Sequence, residues 1–333
     1  MAVNIMYIPG VPPIPSRQSG IGSLPSEKEL TVREIDFSPK HQVLIRYRDG
    51  SLLPMDTPHY EAELIGKDTW KIVSSGDCHY LLAGDRQGIA IDTGYGAGNL
   101  RTFLEQLCGK PVPWVVNTHS HFDHTANNGY FDLAYMGAAA LEKATIPYPS
   151  FQGIHFPRDY PKQVVSQHSK IPLEGRELEI FELGDHTSDG IVILDRKSRI
   201  LFTGDEFMPG MKTLNGTVEK WKRELDQIAV YRDQFDRLYG GAGLLDGQVF
   251  DIFHQAATRI LEGIPSGESL PPRTPSQEAP STADGRTIYD CQAPHAEDVP
   301  AGGFFRDTPT MKDYVYKGHL FRYDITKLWE ETV

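Results

Sequence analysis

His119-Ser120-His121-Phe122-Asp123-His124 puts three imidazoles and one carboxylate into six consecutive positions. An imidazole does little for a structural core, and its neutral nitrogen is the commonest metal ligand in proteins. The spacing points the same way. In an extended segment alternate side chains share a face, so His119, His121 and Asp123 can point together. A turn after Asp123 would then bring His124 alongside. A solvated histidine-rich loop is the bland alternative, and the flanking sequence argues against it.

Upstream, Pro113-Trp114-Val115-Val116-Asn117-Thr118 reads as a short buried strand. It delivers the cluster at its C-terminal end, where ligands collect in layered α/β folds. Downstream, Leu183-Gly184-Asp185-His186-Thr187-Ser188-Asp189-Gly190 reads as a turn between two apolar runs, with one histidine at its centre. Ile200-Leu201-Phe202-Thr203-Gly204-Asp205 is a strand ending in Gly-Asp, and Gly88-Ile89-Ala90-Ile91-Asp92-Thr93-Gly94 is a strand followed by Asp and Gly.

With these four elements in this order, the chain resembles the metallo-β-lactamase superfamily over roughly residues 60 to 265. Its HxHxDH motif is matched by His119, His121, Asp123 and His124, its later single histidine by His186, and its Gly-Asp after a strand by Asp205. The resemblance implies that His119, His121 and His186 hold one metal. It implies that Asp123 and His124 serve a second, and that Asp205 bridges the two. Asp92 would orient a ligand rather than bind metal. Three imidazoles with one open position is a catalytic zinc arrangement, and two ions about 3.5–4 Å apart can clamp a reacting group. Zinc is the expected cofactor, as one or two ions, with iron or manganese as substitutes.

One departure stands out. The superfamily usually supplies a further histidine in a Gly-His-Gly turn after the bridging Asp. Here the stretch reads Tyr239-Gly240-Gly241-Ala242-Gly243-Leu244-Leu245-Asp246-Gly247, so Ala242 stands where that ligand belongs. Either the second metal is weak or absent, or another group replaces the histidine, or the local alignment is shifted. Asp246, His254, His295 and His319 are the candidate replacements. A compromised or rebuilt second site is the favoured expectation.

Composition narrows the partners. The chain has 333 residues, 39% hydrophobic and 23% charged, as expected of a soluble globular protein. A formal net charge of −12 argues against nucleic acid, which needs a basic patch. Three widely spaced cysteines, Cys78, Cys108 and Cys291, do not make a disulfide scaffold and suit a reducing compartment. Cys78 and His79 are adjacent in a strand and so face opposite sides, which disfavours a nucleophilic pair. The N-terminus lacks the features of a signal peptide, and no apolar run is long enough for a membrane span. A cytoplasmic enzyme acting on a small molecule, off nucleic acid and off membranes, is expected.

The expected fold is mixed α/β (α+β): a four-layer αββα metallo-β-lactamase sandwich with an appended C-terminal segment. Alternating runs from Thr31 to Asp92 would form a first sheet, and strands 178–181, 191–194 and 200–202 a second. Helical patterns lie at 98–107, 138–144, 218–238 and 250–261. The expected divisions are a Pro-rich arm over 1–30, the metallo-β-lactamase-like domain over 31–263, a Pro/Ser-rich linker or loop over 264–287, and a C-terminal extension over 288–333 packing on the domain. The arm suggests a homodimer.

Two insertions are expected to border the metals. Tyr148, Phe151 and Phe156 belong to one, unless its aromatics merely pin the loop to the core. Phe207 and Met208 belong to the other. Lys212 or Lys220 would meet a substrate carboxylate or else be solvated. The expected activity is hydrolysis of an ester, thioester, lactone or amide of a partly apolar substrate by metal-bound hydroxide. Asp123 and His124 are the catalytic candidates, with Asp123 handling the proton. A mononuclear iron dioxygenase acting on a sulfur substrate, a phosphodiesterase and a non-catalytic metal-binding relative are the competing readings.

Overall fold

Strands Gly88–Ile91, Ile191–Asp195 and Ile200–Gly204 are buried at every position. That pattern belongs to central strands covered on both faces. The computed structural model describes residues 60–74, 77–96, 98–148, 151, 154–269 and 309–331. It also describes the backbone strands Met6–Tyr7, Val43–Arg46, Leu52–Pro54 and Thr287–Asp290.

The first sheet runs, neighbour to neighbour, Met6–Tyr7, Glu61–Gly66, Thr69–Ser74, Asp77–Ala83, Gly88–Ile91, Trp114–Val116, Leu133–Met136 and Lys162–Val164. It is antiparallel as far as Gly88–Ile91 and parallel beyond. The second runs Lys170–Leu173, Arg176–Glu182, Ile191–Asp195, Ile200–Gly204, Arg237–Gly240 and Gly243–Asp246. Its single parallel pair joins Ile200–Gly204 to Arg237–Gly240. Parallel neighbours end at the same edge, so each sheet offers adjacent C-terminal strand ends to one crevice.

Alternation along the strands sorts three apolar cores. Tyr80, Leu82, Ile89 and Ile91 of the first sheet meet Leu178, Ile180, Ile193 and Phe202 of the second, forming the seam between them. On the outer face of the first sheet, Leu81 and Ala90 pack with Leu100, Phe103 and Leu104 of α1 (Leu100–Cys108). Outside the second sheet, Phe181, Leu194 and Leu201 pack with Trp221 and Leu225 of α3 (Val218–Ala229) and with Phe250 and Phe253 of α4 (Gln248–Leu261). Burying a phenylalanine such as Phe250 or Phe253 is worth about 1.5–3 kcal/mol. The layers are therefore αββα. Local chemistry sets the helix ends: Asn99 caps α1 by accepting from the Thr102 amide, and Gly109 ends it at φ 68°.

Three expectations are corrected. The helix expected over 218–238 stops at Ala229, because Arg237–Gly240 is taken up as a strand beside Ile200–Gly204. The helical pattern at 138–144 is one 3₁₀ turn, Ala138–Ala140, followed by turns. Val43–Arg46 does not join the first sheet; it pairs with Leu52–Pro54 and Thr287–Asp290 in a separate three-stranded sheet.

The chain end forms a hairpin, Met311–Tyr316 with His319–Asp324, and strand Met211–Thr213 joins it in parallel. Phe321 is fully buried against Trp221 and Phe253, with ring centroids 5.9 and 4.9 Å away. No helix among the described residues is long and apolar enough to cross a membrane.

Candidate metal centre

Trp114–Val116 ends at Asn117 and Thr118, and the chain then enters the crevice. His119 lies in the bend that follows, and His121 is the N-cap of a single-turn helix, α2 (Phe122–Thr125). The turn thus comes at Phe122, ahead of Asp123, and Asp123 and His124 reach the crevice from helix rather than from an alternating strand. His186 arrives from the second sheet, on the turn between Arg176–Glu182 and Ile191–Asp195. Asp205 follows Ile200–Gly204 directly.

Two donor sets result, each with its ligand atoms within 4.8 Å of one another: His119, His121 and His186, and His119, His124 and Asp205. His121 Nδ1 and His186 Nε2 are 3.2 Å apart. His124 Nε2 is 3.5 Å from Asp205 Oδ1 and 3.7 Å from Asp123 Oδ2. His186 Nε2 is 3.7 Å from Asp205 Oδ2. The His119 ring faces Thr118 Oγ1 through Nδ1 at 3.1 Å, and its Nε2 is buried with no hydrogen-bond partner among the described residues. A buried nitrogen left this way costs free energy, and a divalent ion coordinated by the surrounding imidazoles and carboxylate removes that cost. The donor chemistry fits zinc or a related divalent ion.

The protonation tendencies split the cluster. Burial, with His124 nearby, holds His119 well below the usual imidazole range. Burial holds His186 down at about 4 despite the attraction of Asp205. Both are neutral near pH 7, the ligating form. Burial also opposes a charge on His124, but Asp123, Asp92 and Asp205 outweigh it and raise its pKa well above the usual value. Asp205 is partly buried, and although desolvation opposes its charge, its histidine neighbours, His124 first, hold its carboxyl far down.

Asp92 is 2% exposed and has a positive φ of 58°. Its carboxylate accepts from the Thr118 amide and hydroxyl, both at 2.7 Å, and lies 2.9 Å from His124 Nδ1. It therefore turns His124 Nε2 toward the centre and ties the cluster to strand Gly88–Ile91. Close approach of the sheets depends on Gly204, at φ 49°, where a Cβ would strike Thr118 Oγ1.

Ala242 is exposed at the turn joining Arg237–Gly240 to Gly243–Asp246. The residue against the centre is Gly241, where a Cβ would collide with Asp205 Oδ1. The first sheet docks this turn: the Tyr80 hydroxyl donates to Gly240 O, and the Cys78 amide donates to Gly241 O at 3.1 Å. None of the described candidates replaces the histidine. Asp246 pairs with Arg237 at the far end of that hairpin and accepts from the Gln248 amide. His254 is 2.6 Å from Asp226. His319 stacks with Phe321 and meets Phe253 edge-on. His295 and Cys291 lie outside the described residues, as do most of residues 1–30 and all of 270–286.

Of the expected pocket residues, Tyr148 reaches the site and donates to Asp123 Oδ1 at 2.8 Å. Phe151 and Phe156 are buried against Phe122, so they support the cluster from behind. Phe207 is 1% exposed among Phe250 and Phe253 and belongs to the core. Met208 is half-buried. Lys212 is neither solvated nor turned to a substrate. It is buried 2.8 Å from Glu206 and 3.0 Å from Asp185. Lys220 donates to Gly184 O and pairs with Glu224. Sequence reasoning missed Thr118, Glu206 and Asp185. Each directly precedes or follows a candidate ligand, and that adjacency was the only available signal. A cavity of about 420 Å³ opens beside His121, lined by Phe122, Lys143, Ile146, Pro147, Tyr148 and Ser188 among others.

The sequence model of the metallo-beta-lactamase superfamily matches residues 78–240. The acyl-coenzyme A thioesterase MBLAC2 of Gallus gallus is 26% identical over 159 residues, 39% of this chain and 57% of that one. Its Homo sapiens counterpart is 26% identical over 163 residues, 39% of this chain and 58% of that one. The matches thus span little more than half the length of these relatives. The sec-alkylsulfatase Pisa1 from Pseudomonas sp. superposes with a TM-score of 0.51 at 14% identity, covering 67% of this chain and 49% of that structure, a likeness of fold. Residues 78–240 carry the fold and the metal-binding motifs of the metallo-beta-lactamase superfamily.

Proposed function

We propose that this protein is a hydrolase that cleaves the carbonyl of a small, partly apolar substrate, a thioester or ester before a lactone or amide. It would use one firmly held zinc ion at His119, His121 and His186. The observation that carries this reading is the convergence of three imidazoles from two sheets, two of them held neutral, beside a cavity with an apolar wall. The thioester is placed first because two relatives bear the name of acyl-coenzyme A thioesterases.

When bound, the ion supplies Lewis acidity, activating water near neutral pH and polarising the carbonyl. The remaining roles fall to the chain. Asp123, with Oδ1 fixed by the Tyr148 hydroxyl, orients the attacking water through Oδ2 and passes its proton to the leaving group. His124, braced by Asp92, places an imidazole NH opposite Asp123 and Asp205 and keeps their charges apart. Ile146, Pro147 and Tyr148 line the cavity and accept the apolar part of the substrate. Fixed geometry of this kind supplies much of a hydrolase's advantage.

The test is metal content per chain on protein purified without added metal, followed by assays on thioester, ester and phosphodiester panels. About one zinc ion per chain with hydrolysis of a carbonyl substrate supports the reading. Iron with oxygen uptake, or phosphodiester cleavage alone, overturns it.

A further inference from the structure

His119 and His121 sit two residues apart, so local backbone sets their separation. His186 comes from the other sheet, and only tertiary contacts place it. Its backbone is held at both ends. The amide donates to Glu206 Oε1 at 2.8 Å, and the carbonyl accepts from Asn215 Nδ2 at 3.0 Å. Glu206 Oε1 also accepts from the Asp185 amide at 3.1 Å. The other Glu206 oxygen accepts from Lys212 Nζ at 2.8 Å, and that ammonium lies 3.0 Å from Asp185 Oδ2. Asp185 Oδ1 in turn accepts from the amides of Asn215 and Gly216 at 3.2 and 3.1 Å. The three charged side chains are 2–4% exposed.

A buried ion group of this kind is a weak source of stability. What it supplies is direction, because Glu206 can receive two amides of the His186 turn only while its own carboxylate is held. Lys212 holds it from strand Met211–Thr213, whose one strand neighbour among the described residues is His319–Asp324 of the chain end. Lys212 lies in register with Phe321, and the amide of Leu320 and the carbonyl of Arg322 bond to Gly210 and Leu214 on either side.

We infer that Lys212 is a positioning residue for His186, and that the C-terminal hairpin serves the metal centre by holding Lys212 between Glu206 and Asp185. This rests on the reading of His186 as a metal ligand. Groups that orient a ligand typically control metal affinity by about 10–100-fold.

The test is zinc affinity of the full chain by chelator competition, with melting temperature measured alongside. Lys212→Met is expected to weaken zinc by about 10–100-fold. Asn215→Ala, at an exposed position where truncation opens no cavity, and Phe321→Ala, which loosens the hairpin without touching a charge, are expected to weaken it in the same direction by less. Val249→Ala, a core change in α4, is expected to lower the melting temperature and leave zinc affinity alone. If His186→Ala binds zinc as the wild type does, the ligand reading itself fails. If His186→Ala weakens zinc while Lys212→Met, Asn215→Ala and Phe321→Ala do not, the inference is overturned and the ligand reading stands. Should Lys212→Met not fold, Asn215→Ala and Phe321→Ala decide.

Discussion

The two donor sets share His119 and one crevice, yet they are not furnished alike. The set of His119, His121 and His186 has three nitrogen donors, two of them kept neutral by burial, and a buried frame of hydrogen bonds behind the one that comes from afar. The set around His124 and Asp205 draws charge to itself. His124 is raised by three carboxylates, Asp205 is lowered by histidines, and Asp123 is turned to Tyr148. Where the superfamily supplies another histidine, this chain offers Gly241 against Asp205 and an exposed Ala242. His119 Nε2, common to both sets, and His124 Nε2 of the second are both buried with no hydrogen-bond partner among the described residues. The sets differ instead in charge: the carboxylates around His124 favour its protonated form, so a cation there competes with a proton, whereas His119 and His186 are held neutral.

The sharpest way to break this contrast is Asp123→Asn. If Asp123 handles a proton, turnover falls by about 10²–10⁴-fold while zinc content at the first set stays as in the wild type. Loss of the zinc would make Asp123 part of the first set's support, and full turnover would remove it from the chemistry. A second experiment counts the ions. The wild type is expected to hold about one zinc ion per chain, and Ala242→His, at an exposed turn position, is expected to leave that number unchanged, read by metal analysis at matched protein concentration. Two ions already present in the wild type would mean that the sets are equal and that the contrast is wrong.

The smallest expected effect concerns an imidazole in neither set. His79 is 1% exposed, has no hydrogen-bond partner on either ring nitrogen among the described residues, and is held down at about 3 by burial and the nearby His124. Its folded pKa lies below the unfolded value, so the unfolded chain binds more protons. Stability is present above about 6.5 and is lost as pH falls toward the folded value. His79→Leu is expected to stabilise the protein by about 1–2 kcal/mol at pH 7. The gain over wild type should widen by about 2 kcal/mol at pH 5, read by urea unfolding at both pH values. A gain that does not grow on acidification would show that His79 is not held neutral.

Much of the centre was legible because its signals are local. HxHxDH, the lone His186 in a turn and the Gly-Asp after a strand are dense, short-range patterns. The alternation that sorts strands from helices is equally local, and the helices expected at 98–107 and 250–261 fall within two residues of the observed bounds. Misreadings arose where a distant partner decided the outcome. Arg237–Gly240 has helical neighbours in sequence but a strand partner in Ile200–Gly204. Phe207 looked like a cleft residue beside Asp205, yet α4 offers it Phe250 and Phe253. Lys212 looked like any lysine until Asp185, 27 positions away, enclosed it.

The sequence by itself determined the donor chemistry and the strand ends that carry it, since residue type and spacing act over a few bonds. It also determined the absence of a histidine at 242. Only the tertiary structure decided that Gly241 rather than Ala242 faces the centre, that Asp123 is held by Tyr148, and that the chain end reaches His186 through Lys212. These are contacts between segments far apart in sequence. Closing them depends on how two sheets and their covering helices pack, and no local pattern encodes that.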